Sequence, residues 1–258
     1  MKNVLIVFLF LLMGEIRAQE LWVRPGKYFY EQNETARIDL VTGTDFIAEP
    51  AAKGLTWDRL ELNFRNGSSD IRRKYTEGEQ PFFELVLGSE GIYKITGVLS
   101  PALIHMDKSA FMNYANQHGL EEILQDSSSI EADSLVVKRT QVIKTYVRVG
   151  KQFDKRPEVA ENLEIEILPD KNPLLLNRGD RITFTILKNG SPAFGVRVKI
   201  WNRWNNRTTL QHIYTEKNGT VNTTISSPGD WMVSVVNLKS TGDNQFEGQS
   251  FNLVFGYR

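Results

Sequence analysis

Chemistry at neutral pH in a chain without cysteine falls to imidazole, carboxylate, hydroxyl and amine groups, and the imidazoles here are His105, His118 and His212. They lie far apart in sequence. None stands in a His-x-His or His-Glu arrangement that would put two metal ligands on one face of a strand or helix, so each reads as a structural or surface histidine. A metal contact through Glu20, Glu31 or Asp39 with one histidine stays open. General acid–base work needs two carboxylates in different surroundings, and the near pairs are Glu121-Glu122 and Glu164 with Glu166. Glu164 and Glu166 share one face of an alternating segment whose other face is Leu163, Ile165 and Ile167, which is the pattern of a solvated outer surface. The chain has no Gly-x-Ser-x-Gly elbow, phosphate loop or dinucleotide fingerprint. No catalytic residue is assigned, and the expectation is a protein that is not an enzyme.

A binding role has better material. Trp201, Arg203 and Trp204, with Asn202, Asn205, Asn206 and Arg207 around them, form an aromatic and polar cluster at the end of a predicted strand. Indole rings beside amide and guanidinium groups are the composition of a sugar-contacting or partner-contacting loop. Trp201, Trp204 and Arg203 are therefore the candidate ligand-binding residues, against the plainer reading that one tryptophan caps a core and the other packs on a neighbour. Arg178-Gly179-Asp180 spells an adhesion tripeptide, but Gly-Asp ahead of a strand is ordinary turn chemistry.

The elements that must position these residues are mostly strands. Ala36 to Val41, Leu60 to Phe64 and Ile92 to Val98 alternate apolar and polar with period two, and Arg24-Pro25-Gly26, Asn66-Gly67 and Gly88 to Gly91 supply turns between them. One helical insertion, near residues 108–125, interrupts this pattern. Asp107 or Ser109 can cap it, Phe111, Tyr114, Ala115 and His118 fall on one face, and Gly119 can end it in a left-handed conformation. A second short turn is expected over Leu120 to Leu124, then an exposed loop over Gln125 to Ser129. Ser134 to Gly150 reads as a long strand or strand pair across the sheet. Lys151 to Glu158 is charged, contains proline and lacks periodicity, so it is the expected linker. Beyond it, seven strands at roughly ten-residue spacing, starting with Leu163 to Pro169 and ending with Gln249 to Phe255, predict an immunoglobulin-like sandwich with Trp231 in its core. The fold class expected is mainly β, two β-sandwich domains with a small helical insertion in the first, divided as 19–158 and 159–258.

Residues 1–18 read as a signal peptide. Lys2 precedes the ten-residue apolar run Val4 to Met13, too short for a membrane-spanning helix at roughly 20 residues, and Ala18 offers a small residue for cleavage. Export of a chain of this size without disulfides suggests the periplasm of a Gram-negative bacterium. The absence of cysteine excludes an N-terminal lipid anchor. Lysine plus arginine number 31 and aspartate plus glutamate 31, and that balance argues against a nucleic-acid binder, which needs clustered positive charge.

Several segments together resemble the DUF4198 family, exported proteins grouped with the NikM-like component of nickel and cobalt uptake systems. They are Leu21-Trp22-Val23-Arg24-Pro25, Phe111-Met112-Asn113-Tyr114 with His118-Gly119-Leu120, Lys144 to Gly150, Leu163 to Pro169, Gly179-Asp180, Gly190 to Val196, and Gly229-Asp230-Trp231-Met232-Val233. The resemblance implies a β-rich periplasmic accessory of metal uptake, with nickel or cobalt as cargo and a membrane transporter or envelope protein as partner. Many members resembling this chain begin their mature sequence with histidine, whose amine and imidazole chelate one metal. Here that position is Gln19. Two readings of function follow: a metal-uptake accessory, favoured by acidic or histidine side chains converging near Glu20, or an adhesion-like or carbohydrate-contacting sandwich, favoured by a coplanar Trp201/Trp204 platform. A third is a structural partner in a larger envelope complex, marked by a large exposed apolar patch.

Overall fold

The computed structural model describes residues 19–65, 67–127, 132–151, 159–242 and 244–257. The expected signal peptide and all but Lys151 of the expected linker lie outside them. The main strands run along the chain as β1 (Glu20–Pro25), β2 (Glu34–Gly43), β3 (Trp57–Phe64), β4 (Phe82–Leu87), β5 (Gly91–Leu99) and β6 (Ala102–Asp107). Helices α1 (Lys108–His118) and α2 (Glu121–Ser127) follow, and then β7 (Ser134–Val149), β8 (Ile165–Pro169), β9 (Arg181–Lys188), β10 (Arg197–Trp204), β11 (Arg207–Tyr214), β12 (Thr220–Thr224), β13 (Gly229–Gly242) and β14 (Gln245–Tyr257). The protein is mainly β, and the seven strands read from the C-terminal sequence are all present.

These strands build three sheets. A ten-stranded sheet runs in the order β11-β10-β13-β14-β7-β5-β3 and ends on the short strand Gly67–Asp70. A five-stranded sheet built on β1-β2-β4 covers part of one face, and a four-stranded sheet of β8, β9, β12 and Ser191–Pro192 covers part of the other. The parity of β7 shows this directly, because successive side chains of a strand point to opposite faces. Ile143, Val147 and Val149 join the core under β2 and β4, with Ile38, Leu40, Phe83 and Leu85. Val142 and Tyr146 join the other core, with Ile167, Phe184, Trp231 and Phe251. Covered on both sides, β7 is buried from Val142 through Val147 without alternation, as expected for a strand inside a layered structure.

β7 also joins the two halves of the chain. Its first part pairs parallel with β14, from Val136 opposite Gln245 to Thr145 opposite Val254. Its last part pairs antiparallel with β5, from Tyr146 opposite Lys94 to Val149 opposite Gly91. The boundary expected at 158/159 is thus crossed by hydrogen-bonded strands. For the same reason β14, expected as a closing strand, lies inside the sheet between β13 and β7.

The helical insertion follows its sequence closely. Asp107 caps α1 by accepting the Ala110 N–H at 2.7 Å, Gly119 ends it with φ 64°, and the buried face is Phe111, Tyr114, Ala115 and His118. This face packs on β6, the start of β7 and the far end of the β13–β14 hairpin, with Phe111 and Phe246 centroids 4.4 Å apart. The second helix runs on to Ser127, past the end expected at Leu124.

Candidate functional site

Alternation along β10 sorts its side chains. Val198 and Ile200 enter the core beside the four-stranded sheet, which leaves Arg197, Lys199, Trp201 and Arg203 on the opposite face. On that face the register lines up His212 of β11, Lys199 of β10, Ser234 of β13 and Asn252 of β14 as one polar row across four strands. Such a row needs hydrogen-bonding partners if it is buried, and β1 supplies them. Leu21 and Val23 face the core under β2 and β4, so Glu20 and Trp22 face the long sheet. The Glu20 carboxylate, 5% exposed, accepts from Lys199 Nζ at 2.6 Å and from Ser234 Oγ at 3.0 Å. Asn252 Nδ2 donates to the Leu21 carbonyl at 2.7 Å.

His118 closes the cluster from the last turn of α1. It is 5% exposed, with its ring 4.6 Å from that of Tyr114. Burial, reinforced by the charge of Lys199, holds its imidazole neutral with a pKa lowered to about 3, against the opposing pull of Glu20. Burial alone would raise the Glu20 carboxyl, but the Lys199 and His118 interactions overcome this and bring it to about 2. The Glu20 carboxylate is therefore ionised across the neutral range, which a desolvated charge tolerates when paired and hydrogen-bonded.

Beside this ion pair lies a cavity of about 360 Å³ lined by Glu20, Thr44, Asp45, Gln117, Arg197, Lys199, Trp201, Leu210 and His212. Arg197 forms one wall and ties the strand to both helices. Its Nη1 donates to the Asn116 carbonyl at 3.0 Å, and its Nε and Nη2 donate to Tyr214 Oη at 3.0 and 2.7 Å. Tyr214 Oη in turn donates to Glu121 at 2.9 Å. The Trp201 indole N–H, in a side chain 6% exposed, has no acceptor among the described residues.

The candidate residues read from sequence are not brought together. Trp201 and Arg203 share the cavity face of β10, whereas Trp204, 46% exposed, lies on the opposite side, because an odd spacing on a strand reverses the face. Asn205 and Asn206, both at positive φ, make a two-residue hairpin turn, which carries the strands out to Trp204 and Arg207. Arg203 donates to Thr208 Oγ1 at 2.9 Å across this hairpin. A shared Trp201/Trp204 platform is therefore absent. Arg197, Lys199 and Ser234 were not legible as site residues, although an Arg-x-Lys alternating with valine and isoleucine was the available signal. His105 and His212 are exposed and His118 is buried. Arg178-Gly179-Asp180 is a turn closed by Asp180, whose carboxylate accepts the Asn177 N–H at 2.8 Å.

The Glu164/Glu166 pair departs from expectation. Glu166 is fully buried and accepts the backbone N–H groups of Glu161 and Leu163 at 2.7 and 2.9 Å, while Glu164 accepts from Asn237 at 2.8 Å. Glu166 is a backbone clamp, not a solvated surface carboxylate. It orients Glu161, whose carboxylate meets Lys94 at 2.7 Å, Lys144 at 3.2 Å, Thr96 at 3.3 Å and also Arg59. Among the described residues, no group of three His, Asp or Glu side chains is placed to hold a metal ion. Nickel or cobalt next to Glu20 would also meet the Lys199 ammonium, so the donor set here does not fit a bare divalent cation.

Comparison with solved structures finds distant resemblances. Salmonella alpha-2-macroglobulin reacted with methylamine matches at 10% identity over 92% of this chain, which spans 15% of that chain, with a TM-score of 0.26. Latent PorU from Porphyromonas gingivalis matches at 10% identity over 93% of this chain and 20% of its own, with a TM-score of 0.21. Murine CEACAM1b matches at 11% identity over 92% of this chain and 100% of its own, also with a TM-score of 0.21. At such scores these likenesses carry no argument. No curated protein matches the sequence. The sequence profile of the family described as a domain of unknown function, DUF4198, matches residues 16–239, and this chain belongs to that family.

Proposed function

We propose that this protein is an exported, non-enzymatic binding protein of the Gram-negative periplasm, which holds a small polar ligand in the cavity beside Glu20 and Lys199. One observation carries the reading. A cavity of about 360 Å³ lies beside the buried Glu20–Lys199 pair, and its wall is an arginine and a lysine held in position by their own hydrogen bonds, with the Trp201 side chain and Leu210 next to them. Polar groups fixed in advance around a partly apolar cavity are the ordinary construction of a ligand site. The N-terminal segment supports export, and the resemblance supports a membrane transporter or another envelope protein as the receiving partner. Nickel or cobalt as a directly coordinated cargo finds no support in this donor set.

Three measurements test the reading. Expressed from its own N-terminus, the protein is expected in the periplasmic fraction with a mass starting at Gln19; retention of residues 1–18 in the cytoplasm would remove the export claim. Calorimetric titration of the mature chain with nickel and cobalt is expected to show no saturable one-site heat. A micromolar isotherm at one equivalent would restore metal handling. A small-molecule thermal-shift screen then asks for ligands whose effect is lost in Arg197→Gln, and an empty screen would oppose the binding reading itself.

A further inference from the structure

We propose that the cavity beside Glu20 and Lys199 takes a neutral polyhydroxylated ligand, a single sugar ring or a short polyol. This rests on the binding reading above and names its ligand class. The charges of the lining cancel in pairs. The Lys199 ammonium is matched by the Glu20 carboxylate at 2.6 Å, and the two that remain, the Arg197 guanidinium and the exposed Asp45 carboxylate, are equal and opposite. His212 adds no charge at neutral pH, because partial desolvation and the nearby Arg197 and Lys199 lower its pKa below the ordinary 6.5. A lining without net charge favours neither an anion nor a cation.

Hydrogen-bonding capacity of both kinds surrounds the space. The side chains of Thr44, Asp45, Gln117 and His212 make no hydrogen bond or ion pair with any described residue. They come from three elements: the turn after β2, the last turn of α1 and the edge strand β11. Asp45 only accepts. The Gln117 amide, the Thr44 hydroxyl and a neutral His212 imidazole each donate and accept, and Arg197 keeps one N–H on each terminal nitrogen after serving Asn116 and Tyr214. A carboxylate ligand would use only the donors of this set, with Asp45 opposing its charge, and an ammonium would use only the acceptors, with Arg197 opposing it. A zwitterion pairs with Arg197 and Asp45 but leaves the neutral groups idle. A hydroxyl gives and takes at once, so a ligand carrying several of them engages the whole set. Leu210, 39% exposed and opposite Trp201 in the β10–β11 register, supplies apolar surface for the C–H face of a ring. At about 360 Å³ the space lies toward the lower end of small-molecule sites, which suits one ring. Sugar contact is thereby placed in the cavity instead of on a platform of two tryptophans.

The test uses the full mature chain labelled with nitrogen-15 and titrated with glucose, galactose, N-acetylglucosamine and glycerol, and with succinate and glycine as anionic and zwitterionic probes. The Gln117 side-chain amide resonance, assigned by its loss in Gln117→Leu, is expected to shift saturably with at least one sugar or polyol and with neither charged probe. The affinity is expected to stay constant as salt is raised, since no charge on the ligand is there to be screened. Asp45→Asn, an exposed change that tolerates the φ of 55° at this position, is expected to weaken the ligand by about tenfold, as a charged acceptor becomes a neutral one. An equal response to succinate or glycine overturns the inference. So does sugar binding that persists undiminished in Asp45→Asn and Gln117→Leu, read from backbone amides, because it places the ligand elsewhere. If other compounds move the Gln117 resonance and no sugar or polyol does, this inference fails while the binding reading stands; if nothing moves it, both fail.

Discussion

Glu20 and Lys199 are each buried, and each is tolerable because the other is there. Breaking such a pair leaves an unmatched charge, so Lys199→Met is expected to cost about 3–5 kcal/mol in chemical denaturation. Pairing it with Glu20→Gln should recover a large part of that loss, and a single-variant cost below about 1 kcal/mol would mean that solvent screens the carboxylate. The histidine beside the pair makes stability depend on pH. The unfolded chain protonates His118 near 6.5, while the folded chain resists until about 3, so between these values the unfolded state binds more protons. Stability is therefore expected to fall as pH is lowered through that window, by about 2 kcal/mol between pH 7 and pH 5 at 1.36 kcal/mol per unit. Glu20, lowered from 4.5 to about 2, adds loss in the same direction at more acid pH. His118→Asn should flatten the part of the curve above pH 5, and an unchanged slope would assign it to another group. Sequence reading had marked Glu20 and His118 as residues to watch. Their meeting place was not legible, because Lys199 and Ser234 come from strands roughly 180 and 210 residues further on.

The helix α1 and the strand β10 were legible to different degrees. For α1, cap, buried face and terminator are all local: face and terminator are where the residue types placed them, and of the two caps read from sequence, Asp107 or Ser109, the structure uses Asp107. Removing the cap by Asp107→Ala should cost about 1 kcal/mol. Gly119 does more than end the helix: a Cβ there would lie 2.4 Å from Arg197 Nε, and its φ of 64° disfavours other residues. Gly119→Ala should therefore destabilise by more than about 1 kcal/mol and displace the Arg197 wall of the cavity. A variant of unchanged stability with the Arg197 to Asn116 bond intact would show that the helix end yields instead. For β10, alternation separated core from outer face. The cluster of residues 201–207 read as a loop because it is rich in asparagine, and two asparagines at positive φ resolve it into a tight hairpin that puts the two tryptophans on opposite sides.

At the scale of the molecule, the long sheet makes the two halves depend on each other. β14 is bordered by β7 over ten residue pairs, so a fragment of residues 159–258 would expose that edge and the apolar side chains of its core. Such a fragment is expected to be unfolded or aggregated by circular dichroism and NMR, and a monomeric fragment with dispersed resonances would show that the sandwich stands alone. Glu161 fastens the same junction, and Glu161→Ala, which removes the carboxylate that Arg59, Lys94 and Lys144 share, should lower stability by about 3–5 kcal/mol. The sequence by itself determined the β class, the strand segments, the helix with its Gly119 terminator and the core position of Trp231, because these follow from short-range periodicity and from the conformational demands of single residues. Only the tertiary structure decided that β7 runs beside β14, that Glu166 is a buried clamp, and that Glu20, Lys199 and Trp201 line one cavity. Those outcomes depend on which strands become neighbours, and period-two alternation names the two faces of a strand without saying what will cover either one.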